Sequence, residues 1–570
     1  MSINLSQPHH AIWPARLPRE LVVPETSLWF NTEVTARRYP DKPAYLFLGR
    51  PLTFKTLHDQ AIALAGWLQA RGVARGDRVI VFMQNCPQYA VAVQAILRAD
   101  AVVVPVNPMN KADEFGHYIA DSGARVAITT ADLAGIVAQA DAQLTAAQRL
   151  RELLVTHFTD AMPEVVDPAE EPNAAIAQWL RARPELPPRC TLWRDALSAD
   201  LAPSAHASGP DDMAVLPYTS GTTGLPKGCI HTHRTVMHNV VGGGQWGHSG
   251  AETVSLGVVP MFHITGFVYY ALGPMAGGAT VVLMPRWDRE LAARLIERHR
   301  VSHWTCIPTM IIDLFASPNV ARFDLKSLRY LSGGGAAMPQ AVAERLKREF
   351  HITFAEGYGL TETAAPTHSH LPERAKLQCL GIPIFGVDSR IVDPETLREL
   401  PIGEVGEIIS PGPMIFKGYW GHPEATKAAF IELDGKSFFR TGDLGRMDEE
   451  GYFFITDRLK RMINASGFKV WPAEVEALLY RNPAVQEACV ISAKDAYRGE
   501  TVKAVVVLRA DAKGKTSADD IIAWAREHMA AYKVPRIVQF ADALPKSGSG
   551  KVMWRLLQEQ EPVTAASPSV

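Results

Sequence analysis

Apolar and polar positions along this chain follow two periods, and the order in which they occur predicts its architecture. From about residue 53 the period is helical. Leu57, Ala61, Leu64 and Leu68 share one face, Thr53 stands at the cap and Gly72 follows the end. A short apolar run over 78–83 reads as a strand, 89–97 as a helix, 101–106 as a second strand and 125–129 as a third. Repetition of this unit indicates stacked β-α-β layers around a mainly parallel sheet. Residues 160–210, rich in Pro, Ala, Glu and Asp, have no clear long period and read as a surface excursion. A second layer is expected to begin near Asp211, with helices over 289–299 and 339–350. Between 379 and 419 short alternating runs with Gly and Pro turns predict a small β-barrel or sheet.

Past Asp457 a compact α+β module is expected. Pro472 opens a helix carrying Val475, Leu478 and Leu479. Strands follow over 487–492 and 502–508, then a helix capped by Ser517 and a strand over 537–540, with 565–570 a frayed tail. The expected class is α/β: a large N-terminal domain of two stacked β-α-β layers plus a small β-barrel, then a small α+β C-terminal domain. Residues 1–459 and 460–570 are the expected halves.

Composition narrows the function classes. The 570 residues are 47% apolar and 21% charged, enough for sizeable cores. Lys and Arg number 58 against 60 Asp and Glu, a formal charge of −2, which disfavours a polybasic nucleic-acid binder. The six cysteines are scattered without a C-x-x-C pair, as reduced thiols would be. The first twenty residues contain no apolar core segment of the secretory kind, and no stretch approaches a membrane span. A cytoplasmic protein is expected, monomeric or homodimeric, with peripheral membrane contact left open.

The most informative segment is Tyr218-Thr-Ser-Gly-Thr-Thr-Gly-Leu-Pro-Lys-Gly228, which follows the apolar run 213–216. Gly221, Gly224 and Gly228 permit positive φ and close approach of backbone N–H groups to an anion. Thr219, Ser220, Thr222 and Thr223 add hydroxyl donors, and Lys227 adds a positive charge. Such a loop can hold a polyphosphate; a flexible surface loop is the bland alternative. It departs from the Walker pattern, with Pro226 where that loop needs Gly and Gly228 where it needs Ser or Thr.

This segment resembles the signature loop of the adenylate-forming superfamily: acyl- and aryl-CoA synthetases, luciferases and the adenylation domains of peptide synthetases. Five more motifs occur in that family's order: Leu331-Ser-Gly-Gly-Gly-Ala336, Ala355-Glu-Gly-Tyr-Gly-Leu-Thr-Glu-Thr363, Phe439-Arg-Thr-Gly-Asp-Leu-Gly445, Asp457-Arg-Leu-Lys-Arg-Met-Ile-Asn464 and Pro545-Lys-Ser-Gly-Ser-Gly-Lys551. The resemblance covers the chain from about residue 25. It implies an acid–thiol ligase that uses ATP, Mg²⁺ and coenzyme A. A carboxylate attacks the α-phosphate of ATP, giving an acyl-adenylate and pyrophosphate; the thiol of coenzyme A then displaces AMP. A medium- or long-chain fatty acid is the expected substrate. An aryl or other small carboxylate, or acyl transfer to a carrier protein, is the alternative.

The resemblance also implies roles. Glu362 would hold Mg²⁺, since this cation takes few carboxylates alongside phosphate oxygens. Thr361 beside it would contact the α-phosphate. Tyr358 would stack on adenine, with Gly333, Gly334 and Gly335 on the other side and Glu356 and Gly357 alongside. Asp443 would accept from the ribose hydroxyls, and Arg458 would reach ribose and phosphate oxygens. Lys551 would bridge the attacking carboxylate and the α-phosphate. Lys460 would be the hinge of a mobile C-terminal domain. Gly467 and Lys469 would line the approach of coenzyme A. His263, in Pro260-Met-Phe-His263, would gate the passage between acid and thiol; amino-acid-activating relatives carry an Asp after that Phe, so the acid here should lack an α-amino group. Gly266, Phe267, Val268 and Trp304 would shape an apolar tunnel, although core packing explains them equally.

Other features mislead. His231, His233 and His238 suggest a metal, but the first two would point to different faces of a helix and read as structural. Gly242, Gly244 and Gly247 match G-x-G-x-x-G after helix-like sequence, not after a strand. Asp457 and Asn464 depart from the commonest residues of the family at those positions and leave the tail's coenzyme contacts open.

Overall fold

In the computed structural model the described residues are 7–219, 225–335, 338, 340–458, 461–465, 468–495, 499–547 and 552–561. They form two compact units: Met1–Asp388 with Ser410–Phe439, and Ser389–Ile409 with Arg440–Val570.

The first unit is built on two sheets. A seven-stranded sheet runs His231–Thr232, Met213–Val215, Val102–Pro105, Arg78–Phe82, Val126–Thr130, Glu152–Thr156, Thr191–Leu192. All its neighbours are parallel except the first pair. The predicted helix after Thr53 spans Phe54–Ala70, and the Thr53 side chain accepts the Thr56 N–H as its cap. A nine-stranded sheet runs Ile382–Pro383, Ala365–Ser369, Phe354–Leu360, Tyr330–Gly334, His303–Cys306, Val254–Gly257, Thr280–Leu283, Pro43–Phe47, Arg50–Thr53. Helices cover these sheets, as parallel strands buried on both faces require. One is Arg289–Arg298, whose Asp288 cap accepts from the N–H groups of Glu290 and Leu291.

Two expectations change. The strand after Asp211, Met213–Val215, pairs parallel with Val102–Pro105 and so completes the first sheet. The second sheet takes its earliest strand from Pro43–Phe47. Local periodicity reveals a strand but not the sheet it joins. The stretch 160–210 is also more than an excursion, for it supplies the helix Ala174–Arg181 and the edge strand Thr191–Leu192. Glu170 within it is 1% exposed. His299 Nε2 at 2.7 Å and Arg298 Nε at 3.0 Å hold its carboxylate. The segment is anchored by this polar pairing and by Met162, Val166, Ile176, Leu180 and Trp193, which enter the core as short separated pieces and so show no long period.

The second unit holds the small β region and the tail. Arg390–Val392 pairs antiparallel with Gly406–Ser410, and Thr441 Oγ1 donates to the Ile408 carbonyl at 2.7 Å. The strand Lys436–Met447 pairs through 443–447 with Phe453–Arg458. Beyond these, Val485–Asp495 and Gly499–Leu508 make a long antiparallel pair, joined in parallel by Ile537–Phe540. Val475, Leu479, Val490, Val506 and Ile521 form its core. The helices Pro472–Leu479 and Ala518–His528 begin where Pro472 and Ser517 predict. Residues 565–570 lie outside the described residues. No helix among the described residues is long and apolar enough to cross a membrane.

Trp304 is fully buried and stacks on Trp287 at 5.7 Å, in the cluster of Leu291, Leu295 and Leu314. Phe267 and Val268 belong to a different cluster, so Trp304 is core packing and not a wall shared with them. Trp304→Ala should cost about 3–5 kcal/mol of stability and leave acid preference unchanged. Denaturant unfolding beside an acid panel measures both; altered acid preference would contradict this placement.

Candidate active site

The phosphate-loop motif is a hairpin stem. Tyr218–Thr219 pairs antiparallel with Lys227–Gly228, with Thr219 opposite Lys227. Tyr218 Oη donates to Asp121 at 2.6 Å, and the Trp420 N–H donates to the Gly228 carbonyl at 2.8 Å. A Cβ on Gly228 would lie 2.9 Å from the Leu216 side chain, so a larger residue here would have to displace it. Ser220, Gly221, Thr222, Thr223 and Gly224 lie outside the described residues.

Next come the paired strands of the nucleotide motifs. Tyr330–Gly334 runs parallel to Phe354–Leu360, with Gly333 opposite Glu356 and Gly334 opposite Gly357. A Cβ on Gly333 would meet the Cys306 carbonyl oxygen at 1.8 Å, and one on Gly334 the Gly357 oxygen at 2.2 Å. Close strand approach therefore demands both glycines whether or not a base lies there. Gly335 is exposed at φ +86°. Tyr358 is buried, its ring 5.6 Å from that of His368. Glu356 is buried as well; burial pushes its carboxyl up to about 8, against a backbone hydrogen bond from Met338 that favours the charged form.

Thr361 and Glu362 sit on a single 3₁₀ turn, Thr361–Thr363, which follows that strand. Four groups grip the turn. His231 Nε2 lies 2.8 Å from the Thr361 carbonyl, and since a carbonyl only accepts, this nitrogen carries the proton. Burial lowers that imidazole to about 4 and keeps it neutral. Asn239 Nδ2 reaches the carbonyls of Thr363, Ala364 and Pro366 at 3.0, 2.8 and 3.1 Å. The Phe416 N–H donates to the Glu362 carbonyl at 2.8 Å, and Tyr419 Oη donates to Glu362 Oε1 at 2.9 Å. Ala364 and Ala365 both have positive φ, +48° and +85°, a conformation that costs non-glycine residues about 1–3 kcal/mol each. Asn239 holds that strained exit. Glu362 is 7% exposed.

Among the described residues no group of three His, Cys, Asp or Glu could hold a metal. A carboxylate oxygen without such a cluster fits Mg²⁺, which uses one or two carboxylates and substrate phosphates. The bond from the His231 ring to the Thr361 carbonyl is a structural contact. His233 Nδ1 likewise accepts the Leu28 N–H at 3.0 Å. Sequence reasoning missed Asn239, Tyr419 and the grip of His231 on Thr361; Asn239 and His231 show only as polar residues in otherwise apolar, buried surroundings. Gly242 and Gly244 lie inside the helix His233–Trp246 and Gly247 caps it, which rules out a dinucleotide turn.

His263 is half-buried, and its Nδ1 accepts the Thr265 N–H at 3.3 Å as the cap of Ile264–Gly266. A π-helical turn, Phe267–Leu272, follows; such turns recur at functional sites. Gly266 packs so tightly that a Cβ would lie 2.2 Å from the Pro260 oxygen.

In the second unit Asp443 is buried, and its backbone pairs in register with Arg458. Asp457 Oδ2 accepts the Ala473 N–H at 2.6 Å at the start of Pro472–Leu479, which explains that departure as a helix contact. Lys469 pairs with Asn464 across Ile463–Ala465 and Phe468–Val470. An isolated bridge joins Lys546 and Val552. Lys460, Gly467 and Lys551 lie outside the described residues.

Comparison with known proteins adds independent findings. The AMP-binding enzyme family matches residues 32–420, and the C-terminal domain of AMP-binding enzymes matches 474–551. The chain is 34% identical over 562 residues to a long-chain-fatty-acid–CoA ligase of Bacillus subtilis, covering 97% of this chain and 98% of that one. It is 36% identical over 522 residues to a feruloyl-CoA synthase of Amycolatopsis, covering 91% and 96%. The crystal structure of ATP-bound MatB from Rhodopseudomonas palustris superposes with a TM-score of 0.77 at 27% identity, covering 93% and 98%.

Glu356 yields a pH prediction. Its folded value lies above its unfolded one, so the native state keeps the extra proton. The stability it contributes is complete below the ordinary carboxylate range, about 4.3, and is lost as pH rises to about 8. Glu356→Gln removes that titration. The unfolding temperature of the variant should gain on wild type between about pH 5 and pH 8 and then keep a constant lead. A gap independent of pH in thermal unfolding would contradict a buried neutral acid.

Proposed function

The chain belongs to the AMP-binding enzyme family and is an AMP-forming acyl-CoA synthetase, and from that premise we propose that it activates a medium- or long-chain fatty acid. The observation that carries its ATP-dependent step is the buried Glu362 carboxylate, fixed beside the stem of the phosphate hairpin through the segment 416–420. Likeness to the B. subtilis ligase over nearly the whole chain supports the acyl substrate. His263 after Phe262 supports an acid without an α-amino group. The 36% identity to a feruloyl-CoA synthase favours a second reading, an arylcarboxylate.

The chemistry joins an anion to a polyanion, so repulsion is the first barrier. Thr219, Ser220, Gly221, Thr222, Thr223, Gly224 and Lys227 cradle the phosphates of ATP. Thr361 orients the α-phosphate, and Glu362 holds the divalent cation that neutralises phosphate charge when bound. Tyr358, Gly335 and the strand 355–358 flank the adenine; Asp443 and Arg458 take the ribose. A carboxylate oxygen of the acid attacks the α-phosphorus, the bond to the β-phosphate bridging oxygen breaks, and pyrophosphate leaves. Lys551 meets the charge that develops between acid and phosphate. The thiol sulfur of coenzyme A then attacks the acyl carbon and AMP departs with the acid's oxygen. Between the halves the tail domain, residues 460–570, turns about Lys460 so that Gly467 and Lys469 face the thiol. His263 stands between acid and thiol.

Two experiments test this. With ATP and coenzyme A, turnover should rise on acids of six or more carbons in a chain-length scan; activity confined to aryl acids would establish the second reading. Lys551→Ala should suppress adenylation by about a hundredfold or more and spare thioester formation from supplied acyl-adenylate. Lys460→Pro, which fixes φ at the hinge, should do the reverse. Equal loss in both half-reactions for both variants would contradict a turning tail.

A further inference from the structure

The segment Phe416–Trp420 touches both anion-handling parts of the first unit. Along one side it follows the outgoing arm of the phosphate hairpin. The Ile230 N–H donates to the Gly418 carbonyl at 2.9 Å, the Lys417 N–H to the Ile230 carbonyl at 2.8 Å, and Cys229 bridges Tyr419. On the other side the Phe416 N–H holds the Glu362 backbone and Tyr419 Oη holds its carboxylate. Lys227 Nζ stands 5.5 Å from the centroid of the same Tyr419 ring. One side chain therefore meets the loop cation with its π-face and the acidic group with its hydroxyl. The ring is held in turn by Phe416, edge-on at 4.8 Å, and the Tyr419 N–H donates to Thr426 Oγ1 at 2.8 Å.

We propose that Tyr419 is a positioning residue that aims the Glu362 carboxylate at the cation accompanying ATP and sets Lys227 beside it. This rests on the reading of Glu362 as the metal carboxylate. A hydrogen bond at Oε1 fixes the carboxylate's torsion before the cation arrives, so less order is lost on binding. Removing the hydroxyl loosens the carboxylate; removing the ring also releases Lys227.

Calorimetric titration of the full-length protein with ATP, at limiting and at saturating Mg²⁺, tests this without turnover. Tyr419→Phe keeps the ring and its packing, so it should unfold in one cooperative transition, with only the modest drop in unfolding temperature that loss of one hydrogen bond brings. At limiting Mg²⁺ its ATP affinity should fall about tenfold, as expected for loss of one hydrogen bond to a charged group, and saturating Mg²⁺ should restore it. Tyr419→Leu should show the same Mg²⁺ shift plus a loss that no Mg²⁺ concentration repairs. Glu362→Gln is the control for the underlying reading. If it leaves the Mg²⁺ dependence of ATP binding unchanged, Glu362 is not the metal carboxylate and both ideas fall. If it shifts that dependence while Tyr419→Phe behaves as wild type, the role of Tyr419 alone is overturned. Adding Tyr419→Phe to Glu362→Gln should cause no further shift at limiting Mg²⁺; an additive shift would also overturn it.

Discussion

A buried carboxylate on a strained turn needs support from every side, and the first unit is arranged to give it. The turn Thr361–Thr363 meets His231 from a strand edge, Asn239 from the helix that follows and Tyr419 from a segment almost sixty residues later. No one of these bonds is worth more than about 1–3 kcal/mol. Together they hold two successive alanines in the left-handed region, which local sequence would not choose. Rigid placement of charge is what anion-on-anion chemistry requires, because a group that must reorganise during the reaction loses most of its effect.

The same economy explains residues that a motif reading assigns to ligand alone. Gly333 and Gly334 are demanded by neighbouring strand carbonyls. Asp457 begins a helix, and His233 accepts from the backbone of Leu28. A signature motif is thus partly a record of how tightly strands and loops must pack to bring a few functional atoms to one place.

Much of the architecture was legible in the sequence because helices and strands of both units carry strong periods and explicit caps, such as Thr53 and Ser517. Sheet membership was not, since Met213–Val215 and Pro43–Phe47 are short apolar runs that would suit either sheet. The stretch around Glu170 was misjudged because ion pairs hold the Glu170 carboxylate, while its buried apolar residues, such as Met162, Val166, Ile176 and Leu180, come in short separated pieces. At the site, the motif residues were visible from the family resemblance. Their supports were not: Asn239 and Tyr419 act through distant backbone and side-chain partners, and spacing along the chain carries no trace of such contacts. Trp304, which the sequence left open between tunnel wall and core packing, fills the core.

The central claim is that this chain joins an acid to the α-phosphorus of ATP and then hands its acyl group to a thiol. Oxygen bookkeeping tests it directly. With the acid's carboxylate labelled by ¹⁸O and ATP and coenzyme A supplied, mass spectrometry should find one labelled oxygen in the AMP released. Label in inorganic phosphate, or AMP without label, would contradict the account.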